Sequence, residues 1–429
     1  MRARFQIRIA SGLVLLFGCG RTGMDFPEAG IAGGGGFDGG DERGEGPGND
    51  DGEFPPEPDE PDEPLPDPPL PESCGNGIAE PGELCFMPEI TFWSRIDPCA
   101  LDIGDIDGDG HLDVATPNSD FDHIESTQNL TSVLYGNGLG QLSEPVPYVS
   151  GDDIPVGIRL GDLDSDGGLD LVVVNSDAGS LSLMLNVGER EFVDWERVRA
   201  GDNPVIADVG DLNFDGVLDV AVAANEEIRV ALGRGDGSFQ TSYSIPRSGS
   251  MWSTRLLDIN ADGAIDMLAT NTSQNTLELW FGEGTGELFE VDQIFMSGMP
   301  LGITDADVDG NGTVDLLVAQ TFGMEVLLND GTGFFVPQPI VEAGLDPRDI
   351  AVADYDNDGR LDAAIVNSTS QDITLTVGHG NGGFDYGATY SVGTLPSGIE
   401  AGDFNSDGVP DMVVSNQLSN SIGLILSNP

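Results

Sequence analysis

Seven times in 429 residues the chain spells one nine-residue pattern, D-x-[DN]-x-[DN]-G-x-x-D, with side-chain oxygens at alternate positions. The copies are DIDGDGHLD from Asp105, DLDSDGGLD from Asp162, DLNFDGVLD from Asp211, DINADGAID from Asp258, DVDGNGTVD from Asp307, DYDNDGRLD from Asp354 and DFNSDGVPD from Asp403. Oxygens at positions 1, 3, 5 and 9, around a glycine that permits a sharp turn, suit a hard cation. Ca2+ takes six to eight oxygens at about 2.3–2.6 Å in flexible geometry. The ligand sets so read begin with Asp105, Asp107, Asp109 and Asp113, then Asp162, Asp164, Asp166 and Asp170, and then Asp211, Asn213, Asp215 and Asp219. They continue with Asp258, Asn260, Asp262 and Asp266, then Asp307, Asp309, Asn311 and Asp315. The last two are Asp354, Asp356, Asp358 and Asp362, with the carbonyl of Arg360, and Asp403, Asn405, Asp407 and Asp411. Asn at one position keeps an oxygen and removes a charge, so lower affinity is expected in those four loops. Asp, Asn and Gly are also favoured turn residues, and one copy alone could be only a turn. Seven in phase call for a cation, because carboxylates packed so closely repel one another.

The loops start 57, 49, 47, 49, 47 and 49 residues apart, a period suited to four-stranded propeller blades. Each period reads as an alternating stretch such as DPRDIAVAD (346–354), the acidic loop, and a β-branched run such as LDAAIVNS (361–368). A third strand such as DITLTVGHG (372–380), a glycine turn and a fourth strand such as GATYSVG (387–393) complete it. This is strand, turn and strand, with no sustained helical period. Six glycine turns (YGNGLGQL, LNVGEREF, LGRGDGSF, FGEGTGELF, LNDGTGFF, VGHGNGGF) follow seven acidic loops, so the last blade is one strand short. The apolar run ITFWSRI (90–96), which precedes the first loop, is expected to supply that strand. The predicted fold class is therefore all-β: a seven-bladed β-propeller over 90–429, with a calcium loop in each blade and an N-terminal strand closing the ring so that no sheet edge stays open.

The nine-residue pattern shares the first six positions of an EF-hand loop but closes with Asp at position nine. Together with its spacing, it resembles the FG-GAP or VCBS repeat family, whose ring is the head of integrin α subunits. That resemblance implies Ca2+ in each Asp loop, between the first two strands of a blade. Segments such as VGIRLGD and RDIAVAD stand where a phenylalanine and glycine signature would precede the loop, which favours the bacterial VCBS branch over the integrin branch.

Composition restricts the partners. Acidic residues number 75 against 16 basic ones, all arginine, for a formal charge of −59. Such a field disfavours nucleic acid and anionic membrane surfaces and favours cations. Residues 1–19 hold Arg2, Arg4 and Arg8, then an apolar run and Cys19, and read as an export signal too short to span a bilayer. Leu16, Phe17, Gly18 and Cys19 resemble a bacterial lipobox, which implies a lipid on Cys19 and a place at the cell surface or outer membrane; an ordinary signal peptide would give a secreted protein instead. Residues 20–73, with glycine runs and the repeat PPEPDEPDEPLPDPP, are expected to form a disordered stalk. The lead-in 74–89 opens with CGNGIAEPGELC, similar to the start of a cysteine-rich myxobacterial repeat. A disulfide between Cys74 and Cys85 is expected there, with Cys85–Cys99 as the rival pairing and one thiol left over.

No catalytic constellation is visible. The three histidines (His111, His123, His379) include one inside an acidic loop and one in a glycine turn, and there is no nucleophile elbow or zinc spacing. Arg234, Gly235 and Asp236 spell an integrin-recognition tripeptide, but the turn they occupy recurs elsewhere as GNG, GEG, NDG and GHG. The polar segment PNSDFDHIESTQNL (117–130), in the long first interval, is the better candidate for a partner-facing loop. The expectation is a monomeric, non-enzymatic, extracellular binding or adhesion module for a protein or glycan partner. The alternatives are a lectin or polysaccharide-active enzyme, and a purely structural surface protein.

Overall fold

A computed structural model describes residue 82 and residues 84–119, 130–150, 154–240 and 243–428. The export signal with Cys19, the expected stalk, Cys74, His123 and residues 120–129 of the first interval lie outside the described residues. Every regular element among the described residues is a strand, and the strands form seven four-stranded antiparallel sheets.

Six sheets are continuous in sequence, spanning 102–149, 155–199, 207–246, 251–295, 300–337 and 347–391, with their strands in chain order. The seventh combines three C-terminal strands (396–425) with Ile90–Trp93, which pairs antiparallel with Ser421–Ile425 as the outermost strand. The chain just before that strand is woven in as well. Phe86 bridges to Ser427, the Met87 N–H donates to the Leu426 carbonyl, and the Asn428 N–H donates to the Cys85 carbonyl. The Phe86 ring is buried edge-on against Tyr355 (5.9 Å) and Tyr390 (5.7 Å), in the seam between the sixth and seventh sheets. Cys85 and Cys99 are both disulfide-bonded and no described cysteine is free, so Cys99 is not the left-over thiol expected of a Cys74–Cys85 pairing.

The packing explains the sequence pattern. Each second strand is six residues long, begins at the ninth-position Asp of its loop and is buried throughout. Side chains alternate across a strand, so such an element feeds two cores at once. Leu171 and Val173 pack towards the first sheet, while Val172 and Val174 pack towards the third. Seven apolar clusters result, one in each seam between neighbouring sheets. The seam joining the last sheet to the first is built from Leu101, Val114 and Leu134 against Phe404, Val413 and Leu424. Fully burying each Val or Leu contributes about 1.5–3 kcal/mol. First strands of successive sheets touch one another around the axis, which places the residues before each acidic loop on that axis. Pro117 and Asn118 are buried strand residues and Leu130 opens the next strand, so the two ends of the expected 117–130 loop belong to the sheet.

Candidate functional site: seven acidic loops

Each acidic loop joins the first strand of its sheet to the second and turns through two left-handed residues. The sixth-position glycines (Gly110, Gly167, Gly216, Gly263, Gly312, Gly359, Gly408) have φ between 82° and 92°. Left-handed backbone strains any residue with a Cβ, which accounts for glycine there. Position 4 is also left-handed in all seven loops, yet it is occupied by Gly108, Ser165, Phe214, Ala261, Gly310, Asn357 and Ser406. That conformation carries no residue signature.

The first three carboxylates or amides curl the loop around themselves. The first-position Asp accepts the N–H of the sixth-position glycine in every copy, at 2.8–3.1 Å. In the sixth loop the Asp358 N–H also donates to Asp354 and Asp356, and the Arg360 N–H donates to Asp358. Backbone donors thus occupy one side of these carboxylates.

The ninth-position Asp behaves differently. Asp113, Asp170, Asp219, Asp266, Asp315, Asp362 and Asp411 are fully buried. One oxygen of each accepts the N–H of the second loop residue at 2.8–3.0 Å. The other accepts an N–H at or just beyond the end of the third strand at 2.7–2.8 Å. These residues therefore tie the loop to two strands. Burial pushes their carboxyls up to about 6 in Asp113, Asp170, Asp219, Asp266 and Asp411 and to about 7 in Asp362; it raises Asp315 too, and the backbone donors only partly offset it. Neighbouring loop carboxylates such as Asp107 and Asp356 raise them further.

Four loops bring carboxylate oxygens from positions 1, 3 and 9 within 4.8 Å of one another: Asp105, Asp107 and Asp113; Asp162, Asp164 and Asp170; Asp307, Asp309 and Asp315; Asp354, Asp356 and Asp362. The other three have Asn at position 3 (Asn213, Asn260, Asn405). There the amide relieves part of the repulsion itself, since Asn260 Nδ2 donates to Asp262 at 2.9 Å and Asn405 Nδ2 to Asp407 at 3.0 Å. Two loops draw on arginine. Arg190 reaches from the second sheet to Asp107 (2.5 Å) across the Tyr135 ring, and Arg360 pairs with Asp358 (3.1 Å). The donor sets fit a hard cation. Asp105 Oδ1 is buried with no hydrogen-bond partner, and oxygen-only clusters of this size are what Ca2+ coordinates.

The other candidates are turn residues. Arg234 Nη1 donates to the Phe239 carbonyl at 2.8 Å, and Asp236 accepts the Ser238 N–H at 3.0 Å, so both charged ends of the tripeptide serve their own turn. His379 is half-exposed beside Asp385 at 3.1 Å.

FG-GAP-like repeats match at residues 162–222, 211–269, 258–318 and 307–365, each running from one acidic loop into the second strand of the next sheet. No curated protein matches the chain in sequence. Solved structures share the fold at low identity. A protein from Lactobacillus plantarum superposes with a TM-score of 0.57 at 14% identity over 73% of this chain and 91% of its own. A putative 6-phosphogluconolactonase from Bacteroides fragilis gives 0.54 at 14% over 70% and 86%. The periplasmic gluconolactonase of Pseudomonas aeruginosa gives 0.52 at 15% over 70% and 86%.

Proposed function

We propose that this seven-bladed propeller of FG-GAP-like repeats is an exported binding module, braced by about one Ca2+ in each acidic loop and displayed to a glycan or protein partner outside the cell. The observation that carries the reading is the division of labour within each loop. The ninth-position Asp clamps two strands, while the first, third and fifth positions crowd further oxygens beside it. A cation there offsets repulsion and stabilises the fold, so the acidic loops serve the scaffold and leave recognition to other surfaces. Extracellular calcium modules bind at about 10⁻⁴–10⁻³ M, a range suited to a permanent brace. In this reading the N-terminal signal exports the chain, Cys19 carries a lipid, and residues 20–73 space the propeller from the membrane.

Lactonases share the fold, but fold alone assigns no chemistry. The histidines of the described residues sit in turns, and the clustered aspartates are accounted for by the loops, which favours binding over catalysis. The test is binding of the purified full chain to a glycan array and to surface-protein extracts in calcium buffer, repeated after chelation. Calcium-dependent retention of a defined partner class supports the module. Turnover of a lactone or polysaccharide with no retention would replace it with an enzyme.

A further inference from the structure

The axis of the ring contains a second polar constellation, unrelated to the acidic loops. A recess of about 50 Å3 is lined by residues of the first strands, among them Trp252, Arg348, Ser397 and Glu400, and by Gln417, which follows the second strand of the seventh sheet. Pro396 pairs with Asn416 in that sheet, so Gln417 and the starts of the first strands lie at the end of the ring away from the acidic loops.

Its arginines are each placed beside a carboxylate. Arg348 is held by Asp346 through two nitrogens at 2.7 and 3.2 Å. Arg159 lies 3.3 Å from Asp208 and 3.9 Å from Asp102, and Arg255 lies 3.8 Å from Asp305. Asp102, Asp208 and Asp349 accept N–H groups of Leu160, Leu256 and Ile399 from the following sheets. What remains are hydrogen-bonding valences. Arg348 is 3% exposed and its Nη1 has no partner, while Gln417 is 6% exposed and its Oε1 has none. Arg348 Nη1 and Gln417 Oε1 are thus an unpaired donor and an unpaired acceptor on the same recess, which Arg159 Nε, 3.3 Å from Asp208 but without a hydrogen bond, also lines; beside them is the Trp252 ring, whose centroid is 5.7 Å from the Arg348 guanidinium.

We propose that this axial recess binds one neutral sugar residue at a glycan chain end, with a pair of adjacent hydroxyls bridging Arg348 Nη1 and Gln417 Oε1 and the ring lying against Trp252. The inference rests on the binding-module reading with a glycan partner and names the subsite. A hydroxyl both donates and accepts, so a diol satisfies both orphaned groups without adding charge. An anion would meet Asp349 and Glu400 inside a chain of net charge −59, and a cation would meet Arg159, Arg255 and Arg348. A buried water needs about 10–15 Å3, so a recess of about 50 Å3 holds a few waters or the edge of one ring. First strands surround it, so a chain end enters where a chain interior does not.

The test titrates the calcium-loaded full chain with methyl α-glucoside, methyl α-galactoside, methyl α-mannoside and N-acetylglucosamine, with galacturonate and glucosamine as charged probes. At least one neutral probe is expected to bind, and Gln417→Leu and Trp252→Phe are each expected to weaken it about tenfold, ~1.4 kcal/mol, at unchanged Tm. Should Gln417→Leu fail to fold, loss of the sugar-induced change in tryptophan fluorescence in Trp252→Phe decides the same point. Binding of a charged probe alone, or of none, overturns the proposal, as do variants that bind like the parent. Array binding of whole glycans that survives both substitutions would retain the module and remove the subsite. A blank array would remove both.

Discussion

Two regions of this propeller bury carboxylates, and they do so by opposite means. In the acidic loops the ninth-position Asp is repeated seven times with the same two backbone partners, at nearly the same distances. Around the axis, the residue three positions before each loop changes from sheet to sheet: Asp102, Arg159, Asp208, Arg255, Thr304, Ala351 and Glu400. Uniform repetition marks a demand made by every blade on its own backbone. Variation around a shared axis marks residues that answer to one another, with arginines and acids alternating across the first four sheets.

The largest effect is expected where the loop clamp is removed. Asp362→Ala leaves the Tyr355 and Gly378 N–H groups buried without acceptors, at about 1–3 kcal/mol each. Denaturant unfolding of the variant should show a loss of about 2–6 kcal/mol in calcium buffer. A loss no greater than that of Asp354→Ala would break the distinction between clamp and ligand positions.

The axial acids should respond to pH instead. Burial, and then repulsion from Asp102, pushes the Glu400 carboxyl up to about 8 from its ordinary value of 4.5. Between those values the folded chain holds a proton that the unfolded chain releases, so raising the pH through this window costs stability, and the cost is complete above about pH 8. Glu400→Gln should flatten that slope and raise the unfolding free energy at pH 8 relative to the parent, by about 4 kcal/mol at most. Parallel pH profiles for parent and variant would show that Glu400 is not the group responsible.

A smaller effect separates backbone from side chain. A Cβ on Gly359 meets nothing within 4 Å, so Gly359→Ala should cost only its left-handed strain, about 1–2 kcal/mol. Calorimetry showing a much larger loss would mean that the loop needs more than the turn.

The blade period and the acidic loops were legible because their determinants are local: ligand spacing, a glycine at position 6 and strand-length apolar runs all fall within one repeat. The link from each ninth-position Asp to the end of its third strand was not legible, because its partner lies 14–23 residues away and offers only a backbone N–H. Position 4 hid its left-handed turn behind seven assorted residues. Phe86 found its pocket between Tyr355 and Tyr390, more than half the chain away, and nothing near it in sequence announces that contact. The axial charges stood in the sequence throughout, three residues before five of the seven loops. They acquire meaning only once seven first strands are placed around one axis.

The most direct test of the calcium-braced propeller is metal content measured with the melt. The purified, calcium-equilibrated chain should carry about seven Ca2+, and chelation should lower the Tm substantially, because an ion bound only by the folded state stabilises it by mass action. A chain with no bound metal and the same Tm with and without chelator would contradict the account.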